Sequence, residues 1–278
     1  MQRIIQPFQT AWRWFQCRSA MVKVLLISLV LFLLLVVQAY LVGLWYQKKH
    51  HDEPLNIGVT FIANYAEYYG LDAQETMLEL SDDLGFKDFR LVSYWKDIET
   101  SPGQYDFTEL DWQFEQVNKV GGSVSLAIGL RQPRWPECHA PDWVKAEQKE
   151  QWYPQLQQYM SAVVERYKDN PALVSYQLEN EYFLGDFGEC KQFGIDRDRL
   201  IDEFNLVKSL DQNTPIILSY ANNYFGVATG KPRPDQIGVS IYKRVWEGTY
   251  TKRYFEYPFP SWYYSWRAGL QELLTGKS

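Results

Sequence analysis

The feature that most constrains this chain is an apolar run near its N-terminus. Residues 24–37 are apolar except for Ser28, and the character continues through Leu41, Val42 and Leu44. A helix of roughly 20 residues at about 1.5 Å rise covers a hydrocarbon core of about 30 Å. The run therefore predicts a transmembrane helix over residues 23–46, facing the lipid bilayer through residues 24–46. Trp45 and Tyr46 close it, where amphipathic rings favour the membrane–water boundary. The competing reading is a cleaved signal peptide. Such a peptide has an apolar core of roughly 7–15 residues and an A-x-A-like cleavage site; this run is longer, and no such site follows it.

Basic residues set the expected direction. Arg3, Arg13, Arg18 and Lys23 precede the run with no acidic residue among them, and Lys48 and Lys49 follow it. Acids count little in the positive-inside rule. The asymmetry predicts a single-pass protein with a cytoplasmic tail over residues 1–22, a linker over 47–55 and the main domain outside the cytoplasm. Trp12, Trp14 and Phe15 suit the inner interface, with a short ordered tail as the open alternative.

Residues 56–278 are long enough for one sizeable core. The chain carries a formal net charge of −6 and has no basic run, which argues against a nucleic-acid partner. Aromatic residues make up 17% of it, with 11 Trp and 20 Tyr. They fill a core, or they line a cleft with flat platforms of the kind that sugar rings stack on. Of the 3 cysteines, Cys17 lies on the cytoplasmic side, while Cys138 and Cys190 fall in expected loops of the domain. Placed outside the cytoplasm, the latter two are able to pair. There is no Cys-x-x-Cys, and His50, His51 and His139 form no ligand set, so no metal site is expected.

Along the domain, short apolar runs alternate with amphipathic stretches. Strands are expected over residues 57–62, 88–94, 124–129, 173–178, 215–219 and 237–242. Helices are expected over 73–84, 108–120, 152–167, 198–210 and 262–274. Such alternation argues for a parallel sheet covered by helices. No Gly-x-Gly-x-x-Gly follows the first strand and no P-loop is present, which disfavours a nucleotide-binding doubly wound sheet. The expected fold is α/β, of (β/α)8 TIM-barrel type. A closed barrel has eight strands and about 250 residues. The pattern here supplies about six strand–helix units, so the barrel is expected to be incomplete, truncated at its C-terminal side.

The stretch Gln177-Leu178-Glu179-Asn180-Glu181-Tyr182 follows the fourth expected strand, at the strand end where barrel active sites are built. An amide beside a carboxyl suits glycoside cleavage, the amide holding a sugar hydroxyl while the acid protonates the leaving oxygen. A structural Asn-Glu pair is the plain alternative. The surrounding pattern resembles the clan of retaining glycoside hydrolases on (β/α)8 barrels, which includes family 5 cellulase-like and β-galactosidase-like enzymes. That resemblance covers about residues 56–277. Through it, Glu181 takes the acid/base role and Asn180 the hydroxyl-binding role. Phe89-Arg90-Leu91 with Tyr94-Trp95 resembles the second strand, whose arginine supports the nucleophile. Residues 98–111, with Gly103-Gln104-Tyr105-Asp106-Phe107, resemble the loop that enters the next helix. Residues 237–242 resemble the sixth strand, whose tyrosine, here Tyr242, contacts the nucleophile; where many members have a His, this chain has Ser240.

Trp95, Arg131, Trp135 and Trp143 are candidates for substrate contact, each with a purely structural alternative. The clan takes its nucleophile from the end of a seventh strand, about 5–5.5 Å from the acid/base. Glu247 and Glu256 follow the sixth strand and lack that setting, so none is assigned within these residues. The implied function is a membrane-anchored retaining hydrolase of β-linked oligo- or polysaccharide that needs no metal or organic cofactor. The alternatives are a glycan-binding barrel without catalysis and an inactive truncation product.

Overall fold

The computed structural model describes residues 14–16, 18–145, 147–184, 187–221, 229–248 and 250–277. Arg3, Trp12, Arg13 and Cys17 lie outside these residues. The chain divides into two compact units, one made of Met1–Glu53 with Pro258–Gly276 and one built on Pro54–Tyr257.

Helix α1 (Ala20–Lys49) runs for 30 residues. Among the described residues it is the one helix long and apolar enough to cross a membrane. Its side chains from Val24 to Val37, except the half-buried Leu26, stand exposed in the protein, as a helix solvated by lipid would have them. Lys48 and Lys49 occupy its last turn, where cations complement the helix dipole.

In the larger unit, β1 (Gly58–Thr60), α2 (Ala63–Tyr68) and α3 (Ala73–Leu78) come first. Asp72 caps α3, its carboxylate accepting the Glu75 N–H at 2.8 Å. Then follow β2 (Asp88–Val92), α4 (Trp95–Ile98), α5 (Thr108–Lys119), β3 (Ser123–Ile128), α6 (Lys149–Tyr167), β4 (Leu173–Leu178), α7 (Arg197–Leu210), β5 (Ile216–Ala221) and β6 (Gln236–Ser240). The 6 strands pair in sequence order, each parallel to the next. The sheet curls as a half-barrel of the TIM type.

Register explains the alternating sequence. Arg90 is opposite Ser125, Ser125 opposite Ser175, and Ala127 opposite Gln177. With side chains alternating across a strand, these residues share one face with Thr60 and Ser219. Contacts across that face are polar: Ser175 Oγ donates to Ser125 Oγ at 3.0 Å, and Arg90 Nη1 donates to Gln177 Oε1 at 2.9 Å. Phe89, Leu91, Val124, Leu126, Tyr176, Leu178 and Leu218 are buried on the other face, with Phe114, Leu156, Met160 and Val207 of the helices in the same core. A closed apolar core on one side and a polar surface on the other leave the polar face to build a site.

Besides the short helices α2 and α4, which fall where no helix was expected, a hairpin and the last helix differ from the sequence expectation. A hairpin, β7 (Arg244–Glu247) with β8 (Arg253–Glu256), follows β6; its four-residue strands are too short for a periodic signal. Helix α8 (Ser261–Thr275) was expected to cover the sixth strand, but it belongs to the α1 unit. It packs on α1 because glycines let the backbones approach: a Cβ on Gly269 would lie 3.0 Å from Tyr46 Cβ.

Candidate active site

The site starts from the turn at the end of β4. Glu179 and Glu181 both hold left-handed backbone, with φ of 55° and 46°. For non-glycine residues each such position costs about 1–3 kcal/mol, and it persists where surrounding contacts over-determine it. They do so here. The Glu179 N–H donates to Ile128 O, the Asn180 N–H to Arg131 O, and the Glu181 N–H to Ser219 Oγ. The Glu179 carboxylate, fully buried, accepts the N–H groups of Leu130 at 2.7 Å and Arg131 at 3.0 Å. Gly129 is required beneath it, since its φ is 104° and an added Cβ would meet Glu179 Oε1 at 2.6 Å. The ends of β3 and β4 are thus locked together, and the lock presents Asn180 and Glu181 to a cleft.

That cleft has a volume of about 390 Å³, and Arg90, Trp135, Glu137, Asn180, Glu181 and Tyr242 are among its walls. Such a volume lies within the range of ligand pockets, about 300–1,000 Å³. Four of the residues singled out from sequence therefore meet with Glu181: Arg90, Trp135, Asn180 and Tyr242. Arg90 is held by Thr60 Oγ1 at 3.0 Å and by Gln177; burial lowers its pKa, yet a guanidinium stays charged. Trp135 is 58% exposed, with Phe187 edge-on at 6.2 Å. Tyr242 lies just past the end of β6. The hairpin adds Val245 and Trp246 to the rim.

Three expected contacts are not part of the cleft. Trp95 is fully buried, donates its indole N–H to Glu99 Oε2 and stacks on Tyr159 at 5.7 Å. Trp143 packs edge-on against Trp95 and donates to the Glu99 carbonyl at 3.2 Å. Arg131 is buried and donates to the Leu184 and Phe187 carbonyls. The two tryptophans brace the β2 and β3 loops, and Arg131 shapes the segment after β4.

Glu137 is the residue that sequence reasoning missed. It is 5% exposed, has a φ of 71°, and accepts from Asn180 Nδ2 at 2.9 Å. Burial, with Glu181 adding to it, pushes its carboxyl up to about 7 against the Asn180 bond and Arg131. Gln177 completes the arrangement, donating to Asn180 Oδ1 at 3.1 Å. Asn180 is held from both ends. The Glu137 turn is also tied covalently, because Cys138 and Cys190 form a disulfide across 52 residues of chain. Replacing both cysteines with serine is expected to cost about 2–4 kcal/mol, read as a lower midpoint in urea unfolding. An unshifted midpoint would mean that the bond closes no loop that is open in the unfolded chain.

Set beside known proteins, residues 72–193 match a β-galactosidase family model, that of glycoside hydrolase family 42. The likeness is to glycoside hydrolases. A β-galactosidase of Haloferax lucentense is 24% identical over 154 residues, which are 49% of this chain and 23% of that protein. Among solved structures, the β-galactosidase of the psychrophilic Marinomonas ef1 aligns with a TM-score of 0.49 at 12% identity, covering 68% of this chain and 41% of that one. The native xylanase 10B of Thermotoga maritima aligns with a TM-score of 0.46 at 20% identity, covering 60% and 51%. The chain spans less than a quarter of the curated relative and about half of these solved neighbours or less. The stretch matched by the family model contains Arg90, Glu137, Asn180 and Glu181 of the cleft; Tyr242 and the hairpin lie outside it.

Proposed function

We propose that this protein is a membrane-anchored, glycan-directed half-barrel, with its N-terminus cytoplasmic, in which Glu181 acts as general acid on a β-glycosidic bond. The observation that carries the reading is the convergence of Glu181 and Asn180, from the end of β4, with Arg90, Trp135 and Tyr242 in one cleft. In this reading a sugar ring stacks on Trp135, and the Glu181 carboxyl gives its proton to the glycosidic oxygen as the bond to C1 breaks. The bond that breaks at C1 is replaced by one from a second group, a carboxylate in the retaining course, and none of the described residues is assigned to that step. Among the described residues Glu137 shares the cleft with Glu181, whereas Glu247 accepts the N–H groups of Tyr250 and Thr251 in its own hairpin turn and Glu256 is exposed on β8. α1 supplies the anchor.

A second reading is glycan binding without cleavage. It is favoured by the state of Asn180, whose amide is already engaged by Glu137 and Gln177. The two readings separate in one assay of the full chain in detergent with chromogenic aryl-β-glycosides. Under the first, Glu181→Gln lowers the rate by about 10²-fold or more, the usual contribution of a general acid; an unchanged rate removes Glu181 from the role. Under the second, the wild-type chain gives no turnover but binds oligosaccharide in calorimetry, and Trp135→Ala abolishes that binding.

A further inference from the structure

α8 packs lengthwise on the last turns of α1, and the two helices run in the same direction. The Trp262 ring meets Tyr40 edge-on at 6.0 Å. A Cβ on Gly43 would lie 3.0 Å from the Trp262 carbonyl, and one on Gly269 would lie 3.1 Å from Val42. Further along, Gln47 Nε2 donates to Ser265 Oγ at 2.8 Å. At the far end His50 Nε2 meets Glu272 Oε2 at 2.9 Å, and Lys49 pairs with the same carboxylate. The start of α8 is therefore level with residues 40–43 of α1, and its end is level with residues 49–50.

This register fixes a depth. The apolar run of α1 ends at Leu44, so whatever packs beside Tyr40 and Gly43 lies where hydrocarbon gives way to headgroups. Glu272 follows Trp262 by ten residues, or about 15 Å along a helix axis, which brings it to the water side with Lys49 and His50. The composition of α8 agrees with those depths. Its beginning is aromatic: Phe259 stacks on Tyr263 at 4.2 Å, and Tyr263 touches Trp266 at 5.5 Å. Trp and Tyr are the residues enriched at membrane interfaces. Glycine at the crossing of two helices in lipid is the usual means of close approach.

We propose that α8 is a second, non-spanning contact with the bilayer, its N-terminal aromatic turn seated among phospholipid headgroups beside α1. The inference rests on α1 being an anchor. Its consequence is that the chain of the cleft unit, residues 54–257, leaves the membrane surface through α1 and returns to it through α8.

The test uses the full chain with Cys17→Ser in phosphatidylcholine vesicles, Cys138 and Cys190 remaining bonded. Single nitroxide labels are placed through Leu31→Cys, Leu41→Cys, Ser261→Cys and Leu273→Cys, all exposed positions, and access to oxygen and to a water-soluble nickel chelate is compared. The label at 261 is expected to meet nickel about 5-fold less than the one at 273 and to within about 2-fold of the one at 41, as interfacial depth requires. Nickel access at 261 equal to that at 273, with the label at 31 still in lipid, overturns the α8 contact alone. A water-accessible label at 31 overturns the anchor and, with it, this proposal.

Discussion

Arg199→Met is expected to destabilise the cleft unit by about 3–5 kcal/mol, the cost of removing one partner from a buried ion pair. Arg199 is at 1% exposure, and its Nη1 reaches Glu203 Oε1 at 2.6 Å and Glu179 Oε1 at 3.3 Å, both carboxylates being fully buried. Without the guanidinium, two carboxyl groups face each other in a region that water does not enter. Burial pushes Glu203 well above the usual carboxylate range, with Arg199 pulling the other way and Glu179 adding to the rise. Glu203 Oε2 has no partner. Glu203→Gln therefore removes a group already inclined to be neutral, and its cost is expected to be the smaller of the two. Urea unfolding followed by tryptophan fluorescence measures both. Equal losses for the two variants would refute the assigned asymmetry, and a loss below about 1 kcal/mol for Arg199→Met would place the triad among pairs with little net effect. Because Glu179 also fastens the β3 and β4 ends beneath Glu181, the arginine variant is expected to loosen the cleft before the unit unfolds.

The strands were legible because their alternation reflects a real asymmetry of the sheet. Leu173–Leu178 reads as a strand and is one, with Tyr176 and Leu178 in the apolar core while Ser175 and Gln177 stand on the polar face. Glu181 and Asn180 were picked out for a different reason: an Asn-Glu pair is common by itself, the resemblance singled this one out, and the structure brings both residues to the cleft. Trp95 and Trp143 were not separable from Trp135 by residue type, since a stacking platform and a buried brace are the same side chain. The structure separates them by burial for Trp95 and by contacts for the half-buried Trp143, which bonds the Glu99 carbonyl and packs on Trp95. Glu137 carries no local signal at all. It becomes notable only when the disulfide and the Asn180 amide bring a lone loop carboxyl against Glu181, contacts 43 or more residues apart in sequence. α8 was misassigned because its amphipathic pattern states that one face is covered, not by what; tertiary packing on α1 supplied the answer.

Glu137 gives the second large effect, a change of stability with pH. Its carboxyl is raised from 4.5 to about 7, chiefly by burial. A group whose folded pKa lies above its unfolded value contributes stability that is fully present below the unfolded pKa, here 4.5, and is lost as pH rises through the folded pKa, here about 7. With about 1.4 kcal/mol per pKa unit, the loss amounts to about 3 kcal/mol. Glu137→Gln keeps an acceptor for Asn180 and removes the proton. The variant is therefore expected to match the wild-type chain near pH 4.5 and to exceed it by about 3 kcal/mol near pH 8.5. The measurement is a pair of unfolding curves at each pH, with the difference between variant and parent cancelling every group they share. Parallel profiles would mean that Glu137 ionises in the folded protein as it does in water, and that the Asn180 bond outweighs its burial. A divergence beginning near pH 5 and levelling above 8 identifies a carboxyl that enters the cleft protonated in mild acid and ionises, against the charge of Glu181, as the medium becomes neutral.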